Sequence, residues 1–155
     1  MRTTIFSAKA EYACIAMLEL AAQHGDPQPV RLKALADAHE IPPRFLVQIL
    51  LQLKGAGLVL STRGATGGYL LARSPEKISI ADIVSVIDRN DRSEQVGVDK
   101  KAPPKIDNMP LTAAVQTIRG VWRDVEKAQR RILQDVTLAE LVRRAQENFA
   151  LSYSI

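Results

Sequence analysis

A mainly α fold is predicted: a winged helix-turn-helix with a two-stranded β-wing, followed by a long dimerisation helix. Three features of the 155-residue chain carry that prediction. Between Val30 and Arg73 the short segments run in the order helix, helix, hairpin. From Pro110 to Val136 apolar residues recur at steps of four and three, over a stretch too long for a domain this small to cover. The hydrophobic content of 46% suffices for one core, and Cys14 is the single cysteine. With no apolar run of bilayer length and no signal-peptide pattern in residues 1–7, disulfides, secretion and membrane insertion lack support, and a cytoplasmic location is expected.

The elements follow in order. Ser7 to about His24 reads as a first helix, with Tyr12, Ile15 and Leu18 available for burial and Gly25, Pro27 and Pro29 stopping it. In Val30–Glu40, Leu32, Leu35 and Ala36 share a face and leave Lys33 and Asp37 outside, and His39 with Glu40 makes a turn. Pro42 and Pro43 suit the first turn of the next helix. There Leu46, Ile49, Leu50 and Leu53 form an apolar stripe, which leaves Arg44, Val47, Gln48, Gln52 and Lys54 outside or flanking it, and Gly55 and Gly57 end the helix. Leu58–Arg73 is two extended runs around a glycine-rich turn, with Gly64, Gly67 and Gly68 available for positive φ or close approach and Arg63 the one long cation at the tip.

Ser79 and Asp82 resemble a helix cap ahead of Ile80, Ile83, Val84 and Ile87, a short amphipathic helix expected to pack on the first. Asp88–Met109 is polar, contains Pro103 and Pro104 and shows no period, so it reads as a loop. A helix of about 25 residues then carries the seam Leu111, Val115, Ile118, Trp122, Val125, Gln129, Ile132 and Val136. A second copy of the chain is the simplest cover for it, with Gln129 as a polar register position. Thr137 and Glu140 form a capping box for a last helix ending near Asn148, with Leu138, Leu141, Val142 and Ala145 as its apolar face, Arg143 and Arg144 complementing its C-terminal dipole, and a partly ordered tail from Phe149. The expected division is residues 1–88 for the winged helix, 89–109 for a flexible effector-type loop and 110–155 for the dimerisation helices and tail.

Phe45–Val59, then Ser61-Thr-Arg-Gly64 and Gly67-Gly-Tyr-Leu-Leu-Ala-Arg73, resemble the Rrf2 family of bacterial repressors, which includes the IscR-, NsrR- and CymR-like regulators. The resemblance extends to Ser7, Lys9, Tyr12 and Ala13 upstream and to Ile78–Ile83 and Val136–Leu141 downstream. It departs at the wing, where Arg63-Gly-Ala-Thr-Gly-Gly68 stands in place of the family's common Arg-Gly-Pro-Gly-Gly-Gly turn. The resemblance implies a homodimeric, sequence-specific transcriptional repressor on an imperfect palindrome, with the first helix's N-terminus approaching the DNA backbone and the final helix packing across the dimer. Iron-sulfur members hold a cluster through three cysteines in the region of 88–109. This chain has none there, and Glu11, at a position where some members use a carboxylate ligand, cannot hold a cluster alone, so no cofactor is expected.

The net charge of +4 and pI near 9.4 favour a polyanionic partner without deciding for one. The DNA contacts expected are Ser7, Lys9 and Lys33 to phosphates; Pro43, Arg44, Val47 and Gln48 at the start of the recognition helix; and Ser61, Arg63, Gly64 and Thr66 in the wing. Leu111, Val115, Ile118, Trp122, Val125 and Ile132 are expected to join two copies. An enzyme reading is weak, since His24 and His39 are the only histidines and the glycine-rich tip lacks the lysine and hydroxyl of a phosphate loop. No metal site is expected, because the acidic residues of 88–109 match no compact calcium loop. The competing reading is a protein-interaction module in which the winged helix docks on another regulator or an enzyme.

Overall fold

The computed structural model describes residues 6–94 and 103–153. Among these, α1 (Ala8–Ala22), α2 (Leu32–His39) and α3 (Pro43–Gly55) precede a hairpin of β1 (Val59–Thr62) and β2 (Gly68–Leu71). A 3-10 turn (Pro75–Lys77), α4 (Ile80–Glu94), a second 3-10 turn (Ile106–Asn108), α5 (Ala113–Asp135) and α6 (Leu138–Tyr153) complete the order. No helix among the described residues is long and apolar enough to cross a membrane.

One core joins the elements. Leu46, Ile49, Leu50 and Leu53 of α3 are fully buried against Met17 and Leu20 of α1, Leu35 of α2 and Ile83 and Ile87 of α4. The α3 stripe therefore buries as expected, and α4 packs on α1; on α1 itself the buried face is Ala10, Ala13, Ala16, Met17 and Leu20, so Tyr12 and Leu18 are half-buried at its flanks and Ile15, expected inside, is exposed. Ser7 caps α1, its Oγ accepting from the Ala10 N–H at 3.1 Å. Ser79 and Asp82 form the reciprocal box that starts α4, at 3.1 and 3.0 Å. At the end of α3, Gly57 takes φ 77° while its N–H donates to the Lys54 carbonyl and that of Leu58 to the Leu53 carbonyl. This left-handed cap satisfies two orphan carbonyls and turns the chain into β1; Gly55 is the last helical residue.

Three expectations change. The polar stretch read as loop from Asp88 is helical through Glu94: it contains no glycine or proline, and Lys9 of α1 holds Asp91 at 3.1 Å one turn beyond the last buried residue. Residues 95–102 of that expected loop lie outside the described residues. The last helix runs on to Tyr153, past the expected end at Asn148, which places Arg143 and Arg144 mid-helix, paired with Glu140 and, for Arg143, also Glu147, instead of complementing a terminus. Thr137 Oγ1 accepts from the Glu140 N–H at 3.2 Å as the capping box requires, but the Glu140 carboxylate turns to the two arginines.

The start of α6 also belongs to the main core. Leu138 is completely buried, Leu141 and Val142 pack against the same cluster, and backbone bonds Leu138 N–H to Ile78 C=O (2.9 Å) and Ile80 N–H to Val136 C=O (3.0 Å) join the beginnings of α4 and α6. Within the chain, then, these residues cover α1 and the first 3-10 turn; Ala145, expected on the same face, is exposed. α5 differs from every other helix: no residue of it is buried. Leu111, Ile118, Val121, Trp122, Val125 and Ile132 are all exposed, Val115 is half-buried, and Gln129 lines a cleft against α4 together with Glu126, Arg130 and Leu133.

Candidate nucleic-acid interface

The burial of four residues on one side of α3 dictates what its other side presents. Arg44, Val47, Gln48 and Leu51 are exposed in a stripe opposite Leu46, Ile49, Leu50 and Leu53. Pro43 opens the helix at its first residue, also exposed. The Arg44 guanidinium lies 4.8 Å from the centroid of the Phe45 ring, a stacking that restricts the arginine while leaving its edge N–H groups available. Leu51, 67% exposed, extends the stripe by a third turn; its helical position one turn past Gln48 was the available signal, and the apolar character of the residue hid it.

α2 packs on α3. Its exposed face carries Lys33 and Asp37, and His39 at its end meets Glu19 of α1 at 3.3 Å. The turn into α3 is made by Glu40 at φ 52°, left-handed without a glycine. Neither α2 nor α3 has a side-chain cap at its start; Pro43 has no N–H and the Phe45 N–H donates to the Pro42 carbonyl at 3.1 Å, so it is mainly at α2 that first-turn N–H groups are left to other acceptors.

The wing pairs Val59 with Leu71, Leu60 with Leu70, Ser61 with Tyr69 and Thr62 with Gly68. Ser61 is half-buried in mid-strand, while Arg63, Gly64, Ala65 and Thr66 are exposed at the tip. Gly64 sits at φ 106°, and its carbonyl accepts from the Gly67 N–H at 3.0 Å to close the turn. Gly68 is required for a different reason: a Cβ there would lie 2.5 Å from the Val30 carbonyl oxygen. Val30 and Tyr69 exchange both backbone hydrogen bonds, at 2.9 and 2.8 Å, so a single isolated bridge ties the segment ahead of α2 to the outer edge of the two-stranded hairpin. Beside it, Arg31 donates from Nη2 to the Ala65 carbonyl at the wing tip. Sequence reasoning missed both contacts; a β-branched residue after Pro29 was the faint signal for the first, and a side chain meeting a backbone carbonyl 34 residues away leaves none.

Two expected phosphate contacts have other partners. The Ser7 Oγ accepts from the Ala10 N–H as the α1 cap, which leaves its O–H able to donate, whereas the Lys9 ammonium, 17% exposed, is paired with Asp91. Lys33 and Arg63 project into solvent.

A buried helix face, an exposed polar stripe and a braced hairpin together define a winged helix-turn-helix protein that binds DNA. The family model described as Rrf2, iron-dependent transcriptional regulator, matches residues 6–144. The Mycobacterium tuberculosis protein MT1325 is 39% identical over 87% of this chain and 79% of its own length, and the transcriptional regulator CymR of Bacillus subtilis is 33% identical over 87% of each. The solved structure of T. potens IscR superposes with a TM-score of 0.70 at 31% identity, covering 96% of this chain and 90% of that one. The chain belongs to the Rrf2 family of DNA-binding transcriptional regulators.

The donor set of this member does not fit the iron centre that the family's description implies. Cys14 is its single cysteine, half-buried on α1, and burial, reinforced by the charge of Glu11, pushes its thiol up to about 11, away from the thiolate a metal needs. Among the described residues no three His, Cys, Asp or Glu side chains converge on a common point.

Proposed function

We propose that this chain is a sequence-specific repressor that binds an imperfect palindrome as a homodimer and does so without an iron-sulfur cluster. The observation that carries the DNA half is the α3 stripe of Arg44, Val47 and Gln48, turned outward by the complete burial of the opposite face. In a major groove, Arg44 suits guanine and Gln48 suits adenine, while Val47 can offer only apolar contact, as to a thymine methyl. The wing tip, Arg63 to Thr66, suits the minor groove beside it, where an arginine follows groove width. Lys33, with the uncapped start of α2, serves phosphates, and Ser61 and Gly64 position the wing.

Dimerisation through α5 is supported by its uncovered seam, since a 23-residue helix without one buried residue leaves an apolar face that a second copy would close. Two recognition helices related by a two-fold axis would then read half-sites roughly 10 base pairs apart. The chain thus comprises a DNA-binding unit through α4 and an arm from residue 110 onward that returns at Leu138 to the same core.

A mobility-shift titration at several salt concentrations, on the promoter of the chain's own gene, tests the reading. Tight binding that weakens steeply with salt is expected; tight association with a protein partner and no salt-dependent DNA affinity would replace it with the interaction-module reading. Lys33→Ala should lower the salt slope by about one, and Lys9→Ala by clearly less, because Asp91 already neutralises that ammonium.

A further inference from the structure

We propose that Arg31 is a positioning residue that fixes the wing tip against the start of α2 and thereby sets the minor-groove preference of the tip. The inference rests on the reading of the wing as a minor-groove element, but its first consequence concerns the protein alone.

The hairpin is anchored in two places that differ in kind. On β2, just past the turn, Val30 and Tyr69 exchange backbone hydrogen bonds that any side chain but proline at position 30 would allow, and Gly68 permits the close approach there. At its tip, the turn from Arg63 to Gly67 is exposed throughout its first four residues and is closed by a single backbone bond, Gly67 N–H to Gly64 C=O. A two-stranded hairpin of four-residue strands does not hold such a tip rigid by itself. The brace is the Arg31 guanidinium on the Ala65 carbonyl, a charge-assisted bond spanning from the N-cap of α2 to the middle of the turn. A guanidinium, which has only N–H donors, cannot cap the N–H groups of α2, so its donors turn to a carbonyl.

This contact links the tip to the helix pair. α2 packs on α3, so a tip tied to the N-cap of α2 has a fixed offset from the recognition stripe Arg44–Gln48. An arginine that reads groove width discriminates only if its backbone cannot follow the groove wherever it lies; a free tip would accommodate wide and narrow grooves alike. Arg31 thus acts through Arg63 without itself reading a base.

The test uses Arg31→Ala in the full-length protein, a substitution at an exposed position outside the core. Amide hydrogen exchange without DNA should show protection at Gly67, whose N–H closes the turn, falling by about tenfold, while Tyr69 and the α3 amides keep theirs. Binding-site selection with randomised flanks should then show the same central bases chosen and a flattened preference in the flanks, with little change in the salt slope. Unchanged exchange in the tip overturns the brace whatever happens on DNA. Faster exchange with an intact flank preference overturns the specificity role. A salt slope reduced by about one, with tip protection unchanged, would make Arg31 a direct phosphate contact instead. Should the wild-type protein show no DNA affinity, the minor-groove reading fails by itself, and the exchange result still judges the brace.

Discussion

Trp122→Ala separates an α5 that merely projects into solvent from one that joins two chains. Tryptophan buries about 150 to 250 Å² when covered, and 52% of Trp122 is open in the single chain, so a partner would remove roughly 80 to 130 Å² from water. At ~25 cal/mol/Å² that is about 2 to 3 kcal/mol per protomer, or about 4 to 6 kcal/mol for a symmetric pair that uses the residue twice. The dimer dissociation constant should rise by roughly a thousand- to twenty-thousand-fold. Sedimentation equilibrium over a wide concentration range reads it directly. Lys127→Ala, on the opposite side of the same helix, is the control for changes in helicity and should leave the constant unchanged. If Trp122→Ala dimerises within a few-fold of wild type, the seam is not the interface, and the exposure of Ile118, Val121, Val125 and Ile132 needs a different partner.

Three other perturbations follow from the geometry. Gly68→Ala should destabilise the protein by about 1 to 3 kcal/mol in a denaturant titration, because the added methyl meets the Val30 backbone, which cannot move without breaking the bridge to Tyr69; an unchanged midpoint would mean that the wing does not pack as closely as described. Cys14 should resist alkylation at neutral pH and react faster as the pH climbs toward about 11, since only the thiolate attacks; a rate at pH 7 equal to that of a free thiol would refute the burial of that group. Hydrogen bonds from Arg143 and then Arg144 hold the Glu140 carboxyl down at about 2, below its ordinary 4.5, so its stabilising contribution is complete above 4.5 and disappears as the pH falls toward 2. Thermal melts across that window should fall more steeply for wild type than for Glu140→Gln, and parallel curves would show that the arginine pairing does not matter to α6.

The residues whose positions could be read from sequence are those whose environment repeats along the chain. Leu46, Ile49, Leu50 and Leu53 recur on one side of a helix because one layer of core lies along it, and the same regularity fixed the outward direction of Arg44 and Gln48. Where the ends of α4 and α6 run past the core, the period vanishes although the helix does not. That is why Asp88–Glu94 and Phe149–Tyr153 read as loop and tail, with Phe149 and Leu151 exposed on a continuing α6.

Charge partners were harder still. Lys9 and Asp91 are 82 positions apart, and counting lysines near a helix start treats each as a free cation. The +4 balance of the chain therefore says little about which cations face a polyanion. The fold spends Lys9 on holding α4 to α1 and Arg31 on the wing tip, which leaves Lys33, Arg44 and Arg63, with Lys54 near the end of α3 and Arg73 after β2, among the exposed cations of the α2–α3–wing region. Affinity for phosphate then rests on fewer side chains than composition suggests. A larger share of recognition must come from how rigidly the wing is held relative to the α3 stripe, the quantity that the Arg31 and Gly68 variants change while Lys33→Ala does not.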